Sequence, residues 1–176
     1  IGGQRKASLF NQGGRYVLTD AEALERSSNV YMWRIAMQLA KDASNTKFGV
    51  NRSTFQIMSN AYAQFGLGVL TNVDLPNESA GVQGDYDKAA PGNALDYAIG
   101  QYEAYTPMQL VQYVSTIANN GYRVQPRLLK EVREPSQDGK TLGPIAMEKE
   151  TTVLNRIDNT QAEIDQVKYG FNRVYT

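Results

Sequence analysis

The chain has 176 residues, 41% of them hydrophobic, with eighteen basic residues offset by eighteen acidic ones and neither histidine nor cysteine. That length supports one domain with a sizeable core, burying about 68–70% of its unfolded surface, and the balanced charge leaves no electrostatic footprint for nucleic acid or an anionic membrane. Without histidine or cysteine there is no Ser-His-Asp triad, thiolate nucleophile, disulfide framework or ordinary zinc site, so no metal or cofactor is expected. No apolar run reaches the ~18–20 residues of a membrane span, and nothing resembles a signal peptide. Ile1-Gly2-Gly3 opens the chain without an initiator methionine, which suits a piece of a longer protein.

Residues 1–18 are Gly-rich, with room for a short strand near Tyr16 to Leu18. Thr19-Asp20-Ala21-Glu22 reads as a capping box, in which the Thr hydroxyl and the Glu carboxylate satisfy each other's orphan N–H groups. The short helix it opens runs into Ser27-Ser28-Asn29. Apolar positions 30, 33, 36, 37 and 40 then keep helical spacing, with Trp33 and Met37 on the core stripe. Lys41 to Arg52 is polar and reads as a loop. Ser53-Thr54-Phe55-Gln56 is a second capping-box pattern, opening a helix that Gly66 can end in a left-handed conformation.

Leu67 to Ala98 shows no sustained period and reads as a long structured loop. In it, Asp74 and Glu78 suit loop-shaping hydrogen bonds, and Asn72 suits a left-handed residue. Thr106 as N-cap, Pro107 at the first helical position and Asn120-Gly121 at the far end frame the clearest helix, with Leu110, Val111, Val114, Ile117 and Ala118 as its apolar stripe. Tyr122 to Val124 and Leu128 to Val132 read as short strands, separated by Pro126. Pro135 to Pro144 is turn-rich. A third capping box, Thr160-Gln161-Ala162-Glu163, opens a final helix bearing Ile164, Val167, Phe171 and Val174. The chain therefore reads as one predominantly helical α+β unit over 1–176.

Ser27 and Asn29 place a hydroxyl and a carboxamide on neighbouring turns, a pair that can relay a proton and hold a substrate amide. Equally, Ser28 or Asn29 can simply cap the helix that follows. For an isolated Ser-Ser-Asn the cap is the favoured reading.

The surrounding blocks change that weighting. Ala23-Leu24-Glu25-Arg26-Ser27-Ser28-Asn29-Val30-Tyr31-Met32 resembles the second active-site motif of the penicillin-binding transpeptidases. Phe65-Gly66-Leu67-Gly68, Val73-Asp74-Leu75-Pro76-Asn77-Glu78, Ile99-Gly100-Gln101, Tyr105-Thr106-Pro107-Met108-Gln109-Leu110 and Ile117-Ala118-Asn119-Asn120-Gly121 follow in the family's order, and Gly170-Phe171 with Val174 looks like the helix before its third motif. The resemblance is to class B, monofunctional penicillin-binding proteins of Gram-positive type.

That resemblance implies the helical lobe of the penicillin-binding transpeptidase and serine β-lactamase-like fold. It also implies a D,D-transpeptidase that cross-links peptidoglycan stem peptides through an acyl-serine and is the target of β-lactams. Ser27 would relay protons, Asn29 would hold the substrate amide, and Gln101 would line the cleft. Work at the extracytoplasmic face, an anchor helix outside these residues, and partners in the cell-wall synthesis machinery are implied as well.

The family's outer motifs, Ser-x-x-Lys and Lys-Thr-Gly, do not stand in their places. Ser44-Asn45-Thr46-Lys47 follows the triplet instead of preceding it, and reads as a solvated loop. Lys140-Thr141-Leu142 has leucine in place of glycine beside an Asp138-Gly139 turn, and reads as a hairpin or loop tip. The nucleophile is expected upstream of Ile1 and the third-motif strand downstream of Thr176, which would leave the isolated chain inactive. The rival readings are a non-catalytic helical binding or scaffold module, and a β-lactam sensor or β-lactamase on the same fold.

Overall fold

The computed structural model describes residues 17–44 and 51–175. Helix α1 (Asp20–Glu25) opens on the expected box: the Thr19 hydroxyl accepts from the Glu22 N–H at 3.3 Å, and the Glu22 carboxylate accepts from the Thr19 N–H at 2.9 Å. Helix α2 (Asn29–Ser44) runs four residues past the expected end, so Lys41 to Ser44 are helical rather than loop. Helix α3 (Arg52–Gln64) corrects the second box, because the cap is Asn51, whose side chain accepts from the Thr54 N–H at 3.3 Å. Asparagine is as good a cap as serine and stands earlier in the chain, so Ser53 falls inside the first turn. Gly66, at φ 97°, ends this helix as expected.

Helix α4 (Pro91–Ala98) lies inside the stretch expected to be loop. Pro91 takes the first helical position, and the Asn93 side chain accepts from the Ala90 N–H at 2.8 Å. Helix α5 (Pro107–Ala118) and helix α6 (Gln161–Asn172) both begin on their Thr capping boxes. Four short strands form two antiparallel pairs: β1 (Tyr122–Val124) with β4 (Val153–Arg156), and β2 (Glu131–Arg133) with β3 (Ile145–Glu148). The second expected strand is shifted to Glu131–Arg133, and β3 and β4 are additional. The class is α+β and predominantly helical, as expected.

Helices α2, α3 and α4 enclose an aromatic core. Trp33, Phe55 and Tyr97 are buried there, and the Phe55 ring stacks on Tyr86 at 5.3 Å and meets Tyr102 at 5.4 Å. Tyr102 and Tyr105 pack as well, their hydroxyls donating to the Asp85 carbonyl and the Glu103 carboxylate, each at 3.0 Å.

Helix α5 buries Ile117 of its expected apolar stripe, but most of its buried face lies elsewhere. Leu110, Val111 and Val114 are about half exposed, whereas Gln109, Gln112 and Thr116 are buried. The amides decide this. Gln109 Nε2 donates to the carbonyls of Val69 (2.7 Å) and Ala80 (3.0 Å), and Gln112 Nε2 donates to those of Thr71 (3.2 Å) and Val124 (2.9 Å). The buried Arg123 completes the network, donating to Gln112 Oε1 at 2.9 Å and to the Leu70 carbonyl at 2.8 Å. Loop 67–82 is thereby satisfied from within, as buried backbone must be.

The loop's two carboxylates do shape it. Glu78 accepts from the N–H groups of Thr71 (2.7 Å) and Asn72 (2.9 Å), and Asn72 is left-handed at φ 60°. Asp74 accepts from Leu128 N–H (2.7 Å), Leu129 N–H (3.1 Å) and Lys149 Nζ (3.2 Å). The Leu128 bond leads in holding its pKa down to about 2.

Candidate active site

Helix α1 closes on a Schellman turn, with Ser28 N–H donating to the Ala23 carbonyl at 2.9 Å and Ser27 N–H to the Leu24 carbonyl at 3.1 Å. Ser27 takes the left-handed position at φ 48°, where glycine is usual. Ser28 is buried and starts α2: its Oγ accepts from Tyr31 N–H at 3.4 Å, and its carbonyl accepts from Tyr31 and Met32 at 3.1 and 3.3 Å. The capping role therefore falls to Ser28. Ser27, exposed, and Asn29, half-buried, flank it and line the same groove.

That groove has a volume of about 750 Å³ and lies among α1, α3, α5 and α6, with Met32, Tyr62, Phe65, Tyr113, Ile164 and Phe171 supplying apolar walls. The described lining residues include no lysine or arginine, and their one carboxylate is Glu163. The Thr160 cap holds Glu163, its N–H donating at 2.7 Å and keeping the carboxyl below its ordinary range. The Tyr62 hydroxyl donates to the Tyr97 carbonyl at 3.2 Å, and burial, reinforced by Tyr113 and Glu103, pushes it up to about 12. Burial likewise raises Tyr113. Both phenols are neutral at pH 7, so the groove offers a hydroxyl and a carboxamide but no amine to activate a serine.

Gln101 is not brought to the triplet. It is exposed beyond the end of α4, its N–H donating to the Asp96 carbonyl at 2.8 Å, and the groove lining stops at Gly100. The sequence reading missed Tyr62, Phe65 and Tyr113 as groove walls. Residues 110, 113 and 117 share a helical stripe, and Phe65 meets Tyr113 edge-on at 5.8 Å, but that pairing joins distant parts of the chain.

The family model of the penicillin binding protein transpeptidase domain matches residues 3–176. The chain belongs to that family.

Penicillin-binding protein 2A of Bacillus subtilis (strain 168) is 45% identical over 156 residues, covering 88% of the chain and 21% of that relative. Penicillin-binding protein H of the same organism is 42% identical over 171 residues, covering 96% of the chain and 24% of that relative. Among solved structures, penicillin-binding protein 2B of Streptococcus pneumoniae (strain 5204) superposes with a TM-score of 0.83 at 31% identity, over 97% of this chain and 28% of that one. The fragment thus has the fold of Gram-positive class B penicillin-binding proteins and spans under a quarter of the length of these two Bacillus relatives.

Within this transpeptidase segment, Lys140-Thr141-Leu142 is a loop tip as expected. It lies in the β2–β3 connection, where the Asp138 carboxylate accepts from the N–H groups of Lys140 (3.0 Å) and Thr141 (3.1 Å). Ser44 ends α2, and Asn45-Thr46-Lys47 lie outside the described residues. Of the strand expected near Tyr16 to Leu18, Tyr16 lies outside the described residues, and Val17 and Leu18 are not in a strand. Among the described residues no group of three or more acidic side chains converges as a metal site would require.

Proposed function

We propose that these residues supply the middle part of a peptidoglycan D,D-transpeptidase active site in the full-length protein. The observation that carries this reading is the triplet's place on one groove: all three residues line it, the buried Ser28 hydroxyl is engaged as a cap by Tyr31 N–H, and Ser27 and Asn29 are the more accessible pair. In the reaction, a serine outside these residues attacks the carbonyl of a stem peptide. Its Oγ–C bond forms, the amide C–N bond breaks, and D-alanine leaves. Ser27 takes up one proton and gives up another, passing the nucleophile's proton to the departing nitrogen with no net change of its own. The Asn29 carboxamide donates to the substrate carbonyl and accepts from its amide N–H. The amine of a second stem then displaces the acyl-serine, which regenerates the hydroxyl and forms the cross-link.

A β-lactam enters the same sequence, but its broken C–N bond lies in a ring, so the leaving nitrogen stays attached and the acyl-enzyme persists. Gln101 belongs to the cleft beyond the triplet, next to Gly100 on the groove rim. The full-length protein works at the extracytoplasmic membrane face with the cell-wall synthesis machinery. An anchor helix outside this region is part of the same reading; among the described residues no helix is long and apolar enough to cross a membrane.

The test is acylation of the full-length protein by a fluorescent penicillin. Ser27→Ala should slow acylation by about 100-fold or more, the usual scale for losing a proton-transfer group, and wild-type labelling of this variant would sink the reading. The isolated 1–176 chain should take no label, because the described residues that line its groove include no amine to activate a serine. Label at Ser44 would overturn that assignment.

A further inference from the structure

We infer that Gly170 is a positioning residue for the Ser27–Asn29 turn, acting through Leu24; the inference rests on the reading of that turn as part of the active site. Gly170 lies inside α6, where glycine is less favourable than alanine. The packing accounts for it. A Cβ at 170 would stand 2.7 Å from Leu24 Cδ1, 3.1 Å from Leu24 Cβ and 3.3 Å from Ala21 Cα. Ordinary carbon contacts lie near 3.5–4.0 Å, so an added methyl must turn the Leu24 side chain aside and press Leu24 Cβ and Ala21 Cα back by a few tenths of an ångström.

Helix α6 is the partner held in place. Ile164 is buried beneath it, and Lys168 Nζ donates to the Ala118 carbonyl at 2.9 Å and to Asn120 Oδ1 at 2.6 Å, bolting it to the end of α5. The six-residue α1 is what yields. Leu24 is also the residue whose carbonyl receives the Ser27 N–H, and the neighbouring Ala23 carbonyl receives that of Ser28. A shift of Leu24 therefore reaches Ser27 through a single backbone hydrogen bond. One turn further along α6, the Arg173 guanidinium donates to Glu25, the last residue of α1, and lies over the Tyr169 ring at 5.6 Å. Two successive grips of α6 thus fix the end of α1 that carries the triplet.

The experiment compares wild type, Gly170→Ala, Leu24→Ala and the double variant as full-length proteins. Each is read for acylation rate by a fluorescent penicillin and for thermal midpoint. Gly170→Ala is expected to acylate about tenfold more slowly, since small misplacements of reacting groups lower the rate steeply, with its midpoint within a few degrees of wild type. Removing the obstructing side chain should restore the rate, so the double variant should acylate within about threefold of Leu24→Ala alone, a coupling that a double-mutant cycle reads directly. Wild-type acylation by Gly170→Ala overturns the inference, as does a slow double variant with a native midpoint. If Gly170→Ala does not fold, the double variant decides by the same criterion. Ser27→Ala, run alongside, separates the two ideas: if it labels normally, the site reading fails whatever Gly170 does.

Discussion

The aromatic core among α2, α3 and α4 and the amide network under α5 hold their parts of the fold by opposite means. Around Phe55 the stabilising element is apolar contact, with ring stacked on ring and the hydroxyls of Tyr86, Tyr97 and Tyr105 turned towards one carboxylate, Glu103. Under α5 it is carbonyl satisfaction, where two glutamines and an arginine fill what would otherwise be orphaned acceptors of loop 67–82. Apolar contact tolerates small shape changes, whereas a buried donor–acceptor set fails when any member is removed. The two regions should therefore respond differently to the same kind of substitution.

The largest effect should come from Phe55→Ala. Phe55 is fully buried among three tyrosine rings, and truncation of such a residue costs about 3–5 kcal/mol, read from urea unfolding of the full-length protein. A loss below about 1 kcal/mol would mean the rings close over the void and the core is not defined by stacking. Gln112 gives the contrasting test. Gln112→Ala strands Arg123 Nε and the carbonyls of Thr71 and Val124, at about 2–3 kcal/mol. Gln112→Met, which keeps the volume, should lose about as much. If methionine proves harmless, packing rather than hydrogen bonding holds α5 to the loop.

The same contrast explains what could be read from the chain. The capping boxes at Thr19 and Thr160 and the N-cap at Thr106 formed as expected, because each needs only two residues three apart; Gln109 makes Thr106 a full box as well. Trp33 was legible as core because its apolar neighbours repeat at helical spacing. Helix α4 was hidden because Pro91-Gly92 looks like loop punctuation, although proline at the first helical position is itself a start signal. Strand β3 is exposed along its whole length, so no alternation marked it. The buried face of α5 was misjudged because hydrophobic spacing cannot register an amide whose partners lie 12 to 41 residues away. Ser27 and Asn29 were named from the family resemblance of the blocks around them, since the local pattern alone favoured a helix cap. The groove between them and α6 was not, since it joins Leu24 to Phe171 across most of the chain.

Ser27 belongs to neither region, and it provides the smallest stability effect and the sharpest separation of fold from site. Four non-glycine residues among those described have positive φ; three are asparagines, which tolerate it, and the fourth is Ser27. A left-handed L-residue of ordinary type costs about 1–2 kcal/mol. Glycine removes that strain but enlarges the unfolded ensemble by up to about 1 kcal/mol. Ser27→Gly should therefore raise the stability of the full-length protein slightly, by up to about 1 kcal/mol, visible as a higher thermal midpoint. Its acylation by a fluorescent penicillin should fall by about 100-fold or more, because the relaying hydroxyl is gone. A residue kept for folding would show the opposite pairing, with stability lost and acylation retained. A lower midpoint would show that the serine hydroxyl contributes to closing α1, and the strain at φ 48° would then be offset by the fold itself, with no need of catalysis to account for it.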